Sequence, residues 1–399
     1  MALTLKVHKS PKSIWLLVLM LLSVNLWYFA PLSTVMASFG VIFYLIWLCL
    51  GHFFFKPQSR WMRVTLSRRS TPVRLIYLGV LLSFIPAFVY YGQSPVTSFL
   101  TTRSMWSLLT LPLLLVVKPD ERDVRTAVNW FILVLVAVTF MDSILNVPVL
   151  DRTYLMPAEA KKNYIDNGEY VHILEGYWWV AAALAFKLDD LKRRFDLLTV
   201  GKCVVLLLIL FIFQNRTMMV AALAITALTF VSLKGRNRTN TIVFRSCAVV
   251  ILLVIVVLMG GMATELIEET ISELGNSNYN RALSLVYFFS EAPDSLLKIV
   301  FGCGFISANV STVMQDLMQE GIYNSDVGLV GFWNYFGLLP VGVILYTQLK
   351  ALFARGTGHY VRCIALTMLM ASITICCYTD PSKVLWLCVF FYLWTYRSS

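Results

Sequence analysis

The sequence predicts an all-α, polytopic membrane protein: a helix bundle of about 12 transmembrane helices with a small helical cap on its outer side. Composition is the first indication, because 58% of the 399 residues are hydrophobic and only 14% are charged. Soluble domains carry roughly a quarter of charged residues. The mean hydropathy of +0.73 agrees. The second indication is that the apolar residues gather in segments of membrane-spanning length, without the alternation of an outer-membrane barrel.

The apolar segments follow one another with short polar connections. Pro31 marks the turn between the first two, and the third ends at Tyr90-Tyr91, where aromatic residues suit a membrane interface. The predicted spans are roughly 13–30, 32–55, 75–92, 104–117, 127–147, 173–187, 197–213, 218–233, 246–262, 326–347, 362–377 and 384–396.

The distribution of Lys and Arg orients these spans. With the N-terminus inside, 24 of the 33 basic residues fall on the inner side and eight on the outer side, while Lys202 lies within a span. Basic residues concentrate on the cytoplasmic face of membranes, so both termini are predicted to be cytoplasmic. The same bias explains the net charge of +11 and predicts no nucleic-acid partner. The most basic loop, 56–74, is expected to contact membrane lipids.

Two long polar segments fall on the outer side of this single membrane domain, residues 1–399. They are 148–172 and 263–325. The second reads as a helical cap with three helices, at 264–274, 280–290 and 307–320, because apolar residues recur there at helical spacing between glycine and proline stops. A chain this apolar is expected to carry out its chemistry where it concentrates its polar residues.

Known cofactor and metal motifs are not found in the sequence. Of the eight cysteines only Cys303 lies in an outer loop, and no CxxC pair, phosphate-binding loop, GxSxG elbow or HExxH motif occurs. We therefore predict neither a cofactor nor a metal. The apolar stretch 14–30 is longer than a signal-peptide core, and cleavage after Ala37 would cut the second span, so this stretch is predicted to remain as a span.

Two arginines at the outer surface are candidates for binding an anion. Arg216 occupies a four-residue turn between two long apolar spans, where a guanidinium is costly unless it is paired or reaches the lipid head groups. Arg281 opens the second predicted cap helix, where a positive charge is mildly unfavourable for the helix dipole. Arginine binds phosphate through two parallel hydrogen bonds. The alternatives are a lipid contact for Arg216 and a solvated helix residue for Arg281.

Acidic residues and one histidine are candidates for a base. Asp326 lies where the chain re-enters the membrane, as a possible ligand of a sugar hydroxyl or simply as a carboxylate stabilised by the helix dipole. Glu269 and Glu273 share one face of the first predicted cap helix, and a solvated face is the plain alternative. His172 lies just outside the sixth span, and a neutral imidazole is able to act as a base near pH 7.

Several short segments resemble one family. They are the turn Gln214–Thr217 with its arginine, Asn280-Arg281 followed by the FGxG turn at Ile299–Gly304, and Asn324–Leu329 followed by the glycine-containing step Trp333–Gly337. With the helix count and the large late outer loop, these segments resemble the bacterial O-antigen and exopolysaccharide polymerases of the Wzy type, which are related to O-antigen ligases. Ligases typically carry a histidine near the re-entry helix, and this chain departs from them there.

The resemblance implies a metal-independent glycosyltransferase at the periplasmic face of the bacterial inner membrane. It would transfer a growing glycan from undecaprenyl diphosphate to the next lipid-linked repeat unit, with a chain-length regulator and a flippase as further partners. Arginines would neutralise the departing diphosphate, and an acid would orient or deprotonate the acceptor. The implied catalytic residues are Asp326, Arg216 and Arg281. The candidates for substrate binding are Asn215, Tyr279, Asn280, Tyr323, His172 and Glu273.

Two other functions remain open from the sequence. A secondary transporter or flippase for a lipid-linked or anionic substrate fits twelve spans with both termini inside. Such proteins place ionisable residues near mid-membrane, and here only Asp142 and Lys202 are candidates, both near span ends. An O-antigen ligase would perform the same reaction with a different acceptor.

Overall fold

The computed structural model describes most of the predicted spans and part of the outer segments. The described residues are 10–24, 33–55, 64, 67–145, 165–166, 169–170, 176–212, 216–233, 242–243, 245–246, 249–250, 253, 280–307, 310–311, 315–317, 322–374 and 378–397.

The described residues are almost wholly helical, which confirms the all-α class. Within the first long outer segment, a hairpin of two-residue strands pairs Ile165–Asp166 (β1) with Glu169–Tyr170 (β2). Shorter helical turns span Arg68–Ser70, Arg103–Leu109 and Asn324–Val327, and a π-helical turn spans Tyr287–Glu291. The α-helices are α1 (Pro11–Ser23), α2 (Ser33–Phe55), α3 (Thr71–Leu82), α4 (Phe84–Tyr91), α5 (Pro95–Thr101), α6 (Thr110–Val117), α7 (Glu121–Leu145), α8 (Tyr177–Arg193), α9 (Leu197–Ile212), α10 (Arg216–Val231), α11 (Asn280–Val286), α12 (Leu296–Phe301), α13 (Gly328–Phe336), α14 (Leu338–Phe353), α15 (His359–Thr374) and α16 (Pro381–Arg397).

Two predicted spans contain an irregular point. The third is irregular at Ser83, whose hydroxyl donates to the carbonyl of Val80 at 2.7 Å, and Pro86 lacks a backbone N–H, although Arg68–Tyr91 still runs as one helix. The tenth is divided at Gly337, which adopts a φ of +80° between α13 and α14. The outer connection before the fourth span is not a plain loop, because it contains α5, capped by Ser94.

By length and composition, fewer of the described helices qualify as membrane-spanning than the twelve spans predicted from the sequence. Among the described residues, Arg68–Tyr91 is long and apolar enough to cross a bilayer, and the pair Pro95–Thr101 and Arg103–Val117, bent by 65°, is a second if both halves form one span. Shorter apolar helices include much of α1, α2, α9, α10, α14 and α15. The bundle of twelve spans therefore stays a prediction.

The core is centred on α8 and α16. Trp178 to Phe186 of α8 and Val384 to Leu393 of α16 are buried on all sides, as expected of helices that are apolar around their whole circumference. Helix α8 carries four alanines between 181 and 185, and small side chains let neighbouring helices approach closely. It packs against α7, α9, α10 and α15, while α16 packs against α6 and the turn before it.

One group of polar contacts joins segments that are predicted to be cytoplasmic. Arg125 forms ion pairs with Asp190 at 2.8 Å, Glu121 at 2.9 Å and Asp189 at 3.0 Å. Tyr360 donates to Glu121 at 3.1 Å. Burial lowers the pKa of Arg125, but the three carboxylates outweigh it and leave the pKa above its ordinary value. This network ties α7, α8 and α15 together at what we call the inner end.

A second group joins segments that are predicted to lie outside. Buried Gln93 donates to the carbonyl of Phe305 at 3.0 Å and accepts from the backbone N–H of Ser307 at 2.8 Å. The hydroxyl of Thr101 also donates to Phe305, at 3.0 Å. These bonds fix the chain that follows α12 onto α5 and the turn before it, and they define the outer end of the bundle.

One of the three helices predicted in the outer segment 263–325 lies within the described residues. The helix predicted at 280–290 is present as α11 and the π-helical turn, and α12 was not predicted. The predicted helix at 264–274 lies outside the described residues, as does much of 307–320. Phe288, Leu317 and Ile322 of this segment form a small apolar cluster with Val327, which follows it.

Candidate functional site at the outer end

The turn after α12 pairs with the C-terminal end of α13. The backbone N–H of Cys303 donates to the carbonyl of Asn334 at 2.6 Å, and that of Gly304 donates to the carbonyl of Tyr335 at 2.9 Å. The Phe305 ring stacks on Tyr335 with centroids 4.6 Å apart and planes at 21°. The FGxG turn and the glycine-containing step are therefore one structural unit, although the sequence separates them.

Glycine is required on both sides of this pairing. Gly302 has a φ of +79°, and a Cβ there would lie 2.5 Å from the carbonyl oxygen of Tyr335. Gly337 has a φ of +80°, and a Cβ there would collide with the carbonyl oxygen of Val300. Positive φ is unfavourable for residues with a side chain. The two backbones approach as closely as they do because neither residue carries a Cβ.

Two buried amides extend from this unit toward the re-entry segment. Asn324 is 4% exposed and donates through Nδ2 to Oδ1 of Asn334 at 3.3 Å. Asn334 in turn lies 3.6 Å from the sulfur of Cys303. The Oδ1 atom of Asn324 has no hydrogen-bond partner among the described residues. A buried acceptor left unpaired costs about 1–3 kcal/mol, so this part of the outer end is locally destabilised.

A buried cation lies on the other side of the turn. Lys298 is 9% exposed and pairs with Asp294 at 2.8 Å. Its ammonium lies 4.6 Å from the ring centroid of Tyr90 and 5.5 Å from that of Tyr91, within cation–π range. Burial raises the pKa of the Cys303 thiol, although Lys298 and a hydrogen bond with Tyr91 act in the opposite direction. The thiol is therefore a neutral hydrogen-bonding group at pH 7.

The segments that carry Arg281 and Asp326 are in contact. Arg281 is the second residue of α11, which also begins with the candidate Asn280, and Asp326 lies in the turn Asn324–Val327. The backbone N–H of Tyr323, another candidate, donates to Oγ of Ser284 in α11 at 3.1 Å. The two segments that carry these candidates therefore touch at the outer end. The side chains of Asn280, Arg281 and Asp326 lie outside the described residues.

Arg216 begins α10, at the opposite end of that helix from Thr229, which lies 2.8 Å from Nε2 of His359 at the inner end. Helix α10 packs against α15. Near the C-terminal end of α15, Gly328 of α13 packs against the carbonyl of Ser372. The side chain of Arg216 lies outside the described residues. So do Asn215, Tyr279, His172, Glu269 and Glu273 entirely.

Sequence reasoning missed the polar residues that hold this site together. Lys298 and Asn334 are isolated polar residues in the otherwise apolar helices α12 and α13, so the sequence alone could have identified them as candidates. Gln93 lies in a short outer turn and carries no such signal. Its role follows from a contact with Phe305, 212 residues away.

The outer end combines groups suited to a polar organic ligand. It contains the buried amides of Asn324 and Asn334, the buried ammonium of Lys298 paired with Asp294, and the half-exposed phenol of Tyr323. Within the ranges that the structure describes, no three His, Cys, Asp or Glu side chains converge as metal ligands. Comparison with protein-family models and with characterised proteins gives no match. Fold and contacts thus define an all-α protein with a polar site at one end of its helix bundle.

Proposed function

We propose that this protein is a polysaccharide polymerase of the bacterial inner membrane. It transfers a growing glycan from undecaprenyl diphosphate to the next lipid-linked repeat unit on the periplasmic side. The observation that carries the proposal is the contact between α11 and the turn Asn324–Val327, through Tyr323 and Ser284. It supports a shared role for Arg281 and Asp326. Both residues lie beside the paired FGxG turn and glycine-containing step, on which the family resemblance rests.

The reaction needs charge neutralisation and a proton acceptor. The acceptor hydroxyl attacks the anomeric carbon of the donor glycan, the bond from that carbon to the diphosphate oxygen breaks, and undecaprenyl diphosphate leaves. Arg216 and Arg281 stabilise the negative charge on the departing diphosphate through fixed guanidinium groups. Asp326 accepts the hydroxyl proton as general base. No step calls for a cofactor.

The buried amides suit the recognition of a sugar. Asn324, which is buried two residues before Asp326 along the chain, would hold the re-entry segment in place beside the sugar through its bond to Asn334. Tyr323 is 42% exposed and offers a ring against which a sugar face packs. Asn215, Tyr279, Asn280, His172 and Glu273 remain the other candidates for binding the lipid-linked oligosaccharide.

Exposed apolar surface supports the membrane location. Large apolar side chains are exposed on several helices, among them Phe53 at 70%, Leu197 at 78% and Phe353 at 80%. Soluble proteins rarely expose apolar area on this scale, whereas a bilayer would cover it. We extend this to about 12 spans with cytoplasmic termini, because the polar contacts sort into the two groups that such a topology requires.

The proposal is tested by deleting the gene in its host and examining the lipopolysaccharide by gel electrophoresis. Loss of a polymerase leaves molecules capped with a single repeat unit, and wild-type gene on a plasmid restores long chains. Molecules without any repeat would instead indicate a ligase or a flippase of the lipid-linked repeat unit. A transporter would depend on charges near mid-membrane, and Lys202, one of the two candidates, is exposed on α9. An unchanged chain-length distribution would exclude all three functions in this pathway.

A further inference from the structure

A cavity of about 370 Å³ lies at the inner end, away from the proposed transferase site. It is bounded by α10, α14 and α15, with apolar walls that include Ile225, Leu228, Phe353 and Leu366. Leu228 is 56% exposed and Phe353 is 80% exposed, so the cavity opens at the side of the helix bundle. Its volume falls in the range of roughly 300–1,000 Å³ typical of ligand sites.

The polar end of the cavity is basic. Lys192, His359 and Arg362 line it, and none of the described lining residues is acidic. The Lys192 ammonium lies 3.4 Å from Nδ1 of His359, and Nε2 lies 2.8 Å from the hydroxyl of Thr229. Because an ammonium only donates, Nδ1 is the acceptor and the imidazole is neutral. Two positive charges, those of Lys192 and Arg362, therefore face the cavity.

Arg362 has N–H groups that make no hydrogen bond to the described residues. One terminal nitrogen donates to the carbonyl of Ala354 at 2.9 Å, whereas Nε is buried and has no partner among the described residues. The residue also lies in the first turn of α15, where a positive charge opposes the helix dipole. The nearby carboxylate of Asp189 is paired with Arg125 and Arg193. An anion in the cavity would offset the unfavourable interaction of the Arg362 charge with the helix dipole.

We propose that this cavity binds an anionic phospholipid from the cytoplasmic leaflet. Its phosphate lies against Lys192 and Arg362, and an acyl chain lies along Leu228 and Phe353. The planar guanidinium suits a phosphate, and the apolar walls suit a hydrocarbon chain that a free phosphate lacks. The inference needs the helices to lie in a bilayer, but it is independent of the transferase proposal, because its test measures lipid binding alone.

The test measures lipid binding by native mass spectrometry on the full-length protein, delipidated in a neutral detergent. The probes are phosphatidylglycerol, phosphatidylcholine with the same acyl chains, and inorganic phosphate. We expect phosphatidylglycerol to bind about ten-fold more tightly than phosphatidylcholine. The phosphate of phosphatidylglycerol has no choline ammonium beside it to compete with Lys192 and Arg362. The double variant Lys192→Gln, Arg362→Gln should lose this preference. Leu228→Trp should weaken binding of both lipids by filling the cavity while keeping its charge.

Lys350→Gln is the matched control. Lys350 is an exposed basic residue of α14, predicted to lie on the same side of the membrane, and it does not line the cavity. Its variant should bind as the wild type does. Equal binding of the two lipids by the wild type, an unchanged preference in the double variant, or inorganic phosphate that displaces phosphatidylglycerol would each overturn the proposal. Melting temperatures identify any variant that fails to fold, and Leu228→Trp then serves as the independent measurement.

Discussion

Cys303 and Asn334 are joined through their backbones by a hydrogen bond of 2.6 Å between the amide of the first and the carbonyl of the second. A side-chain contact of 3.6 Å between the same residues, 31 positions apart, reinforces it. This pair locks the turn after α12 onto the end of α13, and Asn334 then reaches Asn324 at the re-entry segment. The geometry of the candidate site depends on this crossing of two chain segments.

The crossing should not tolerate a side chain at Gly337. Gly337→Ala would combine left-handed backbone strain, about 1–2 kcal/mol, with a collision against Val300, so we expect a clear loss of thermal stability. Gly342→Ala is the matched control, because that glycine lies in α14 and a Cβ there would meet no atom within 4 Å. It should be neutral or stabilising by about 0.5–1 kcal/mol. Melting curves in detergent compare the two variants, and equal melting temperatures would contradict the role of Gly337.

Arg216 and Arg281 should be needed for activity rather than for folding. In each case Ala should shorten the glycans to single repeats, and Lys should restore activity only in part, because it lacks the planar fork that binds a diphosphate. Arg103→Ala, which removes an exposed arginine of the outer end, is the control and should keep long chains. Normal chain lengths in both Ala variants, at wild-type protein levels in the membrane, would remove these arginines from the mechanism.

Asp326→Asn distinguishes a base from a helix cap. Asn caps a helix about as well as Asp, so a purely structural residue would show little effect. A carboxylate that takes the proton of the acceptor hydroxyl is not replaced by an amide, and we expect polymerisation to stop while the protein stays inserted. Asp316→Asn, at an exposed acid of the same outer segment, should be silent. Wild-type glycans in the Asp326 variant would direct attention to Glu269, Glu273 and His172.

The ion-pair network at the inner end should contribute to stability. The side chain of Arg125 is 17% exposed and bridges three carboxylates, one of them the 6% exposed Asp189. Arg125→Met leaves these charges without their main partner and should cost about 3 kcal/mol. Arg193→Met also breaks a pair with Asp189, but Arg193 is 54% exposed, so about 1 kcal/mol or less is expected. Similar unfolding midpoints for the two variants would argue against a central role for Arg125.

Membrane orientation is testable with single cysteines. Ser290 and Arg355 are both exposed, the first in the outer segment and the second between α14 and α15. With the native cysteines replaced, an impermeant thiol reagent on cells with a permeabilised outer membrane should label Ser290→Cys and leave Arg355→Cys unlabelled until the inner membrane is broken. The reverse pattern would invert the topology and place the candidate site in the cytoplasm.

Much of the helical framework follows from the sequence alone. Runs of apolar residues between polar turns set most of the helix positions, since the hydrophobic character of a segment is a local property. The same reasoning singled out Arg281 and Asp326 as isolated charges near segment ends. It also gave the first residues of α11 correctly, from a helical pattern that begins at Asn280.

Tertiary structure decided which of these segments meet. The break at Gly337 arises because another backbone passes there, and no local pattern within the apolar run 326–347 reveals it. The contact of Gln93 with Phe305 and that of Lys192 with His359 join residues 212 and 167 positions apart. Such pairings depend on the fit of side chains and backbones across the whole bundle. The sequence by itself therefore determined the helices and the candidate charges, while packing alone assembled them into an outer polar site and an inner basic cavity.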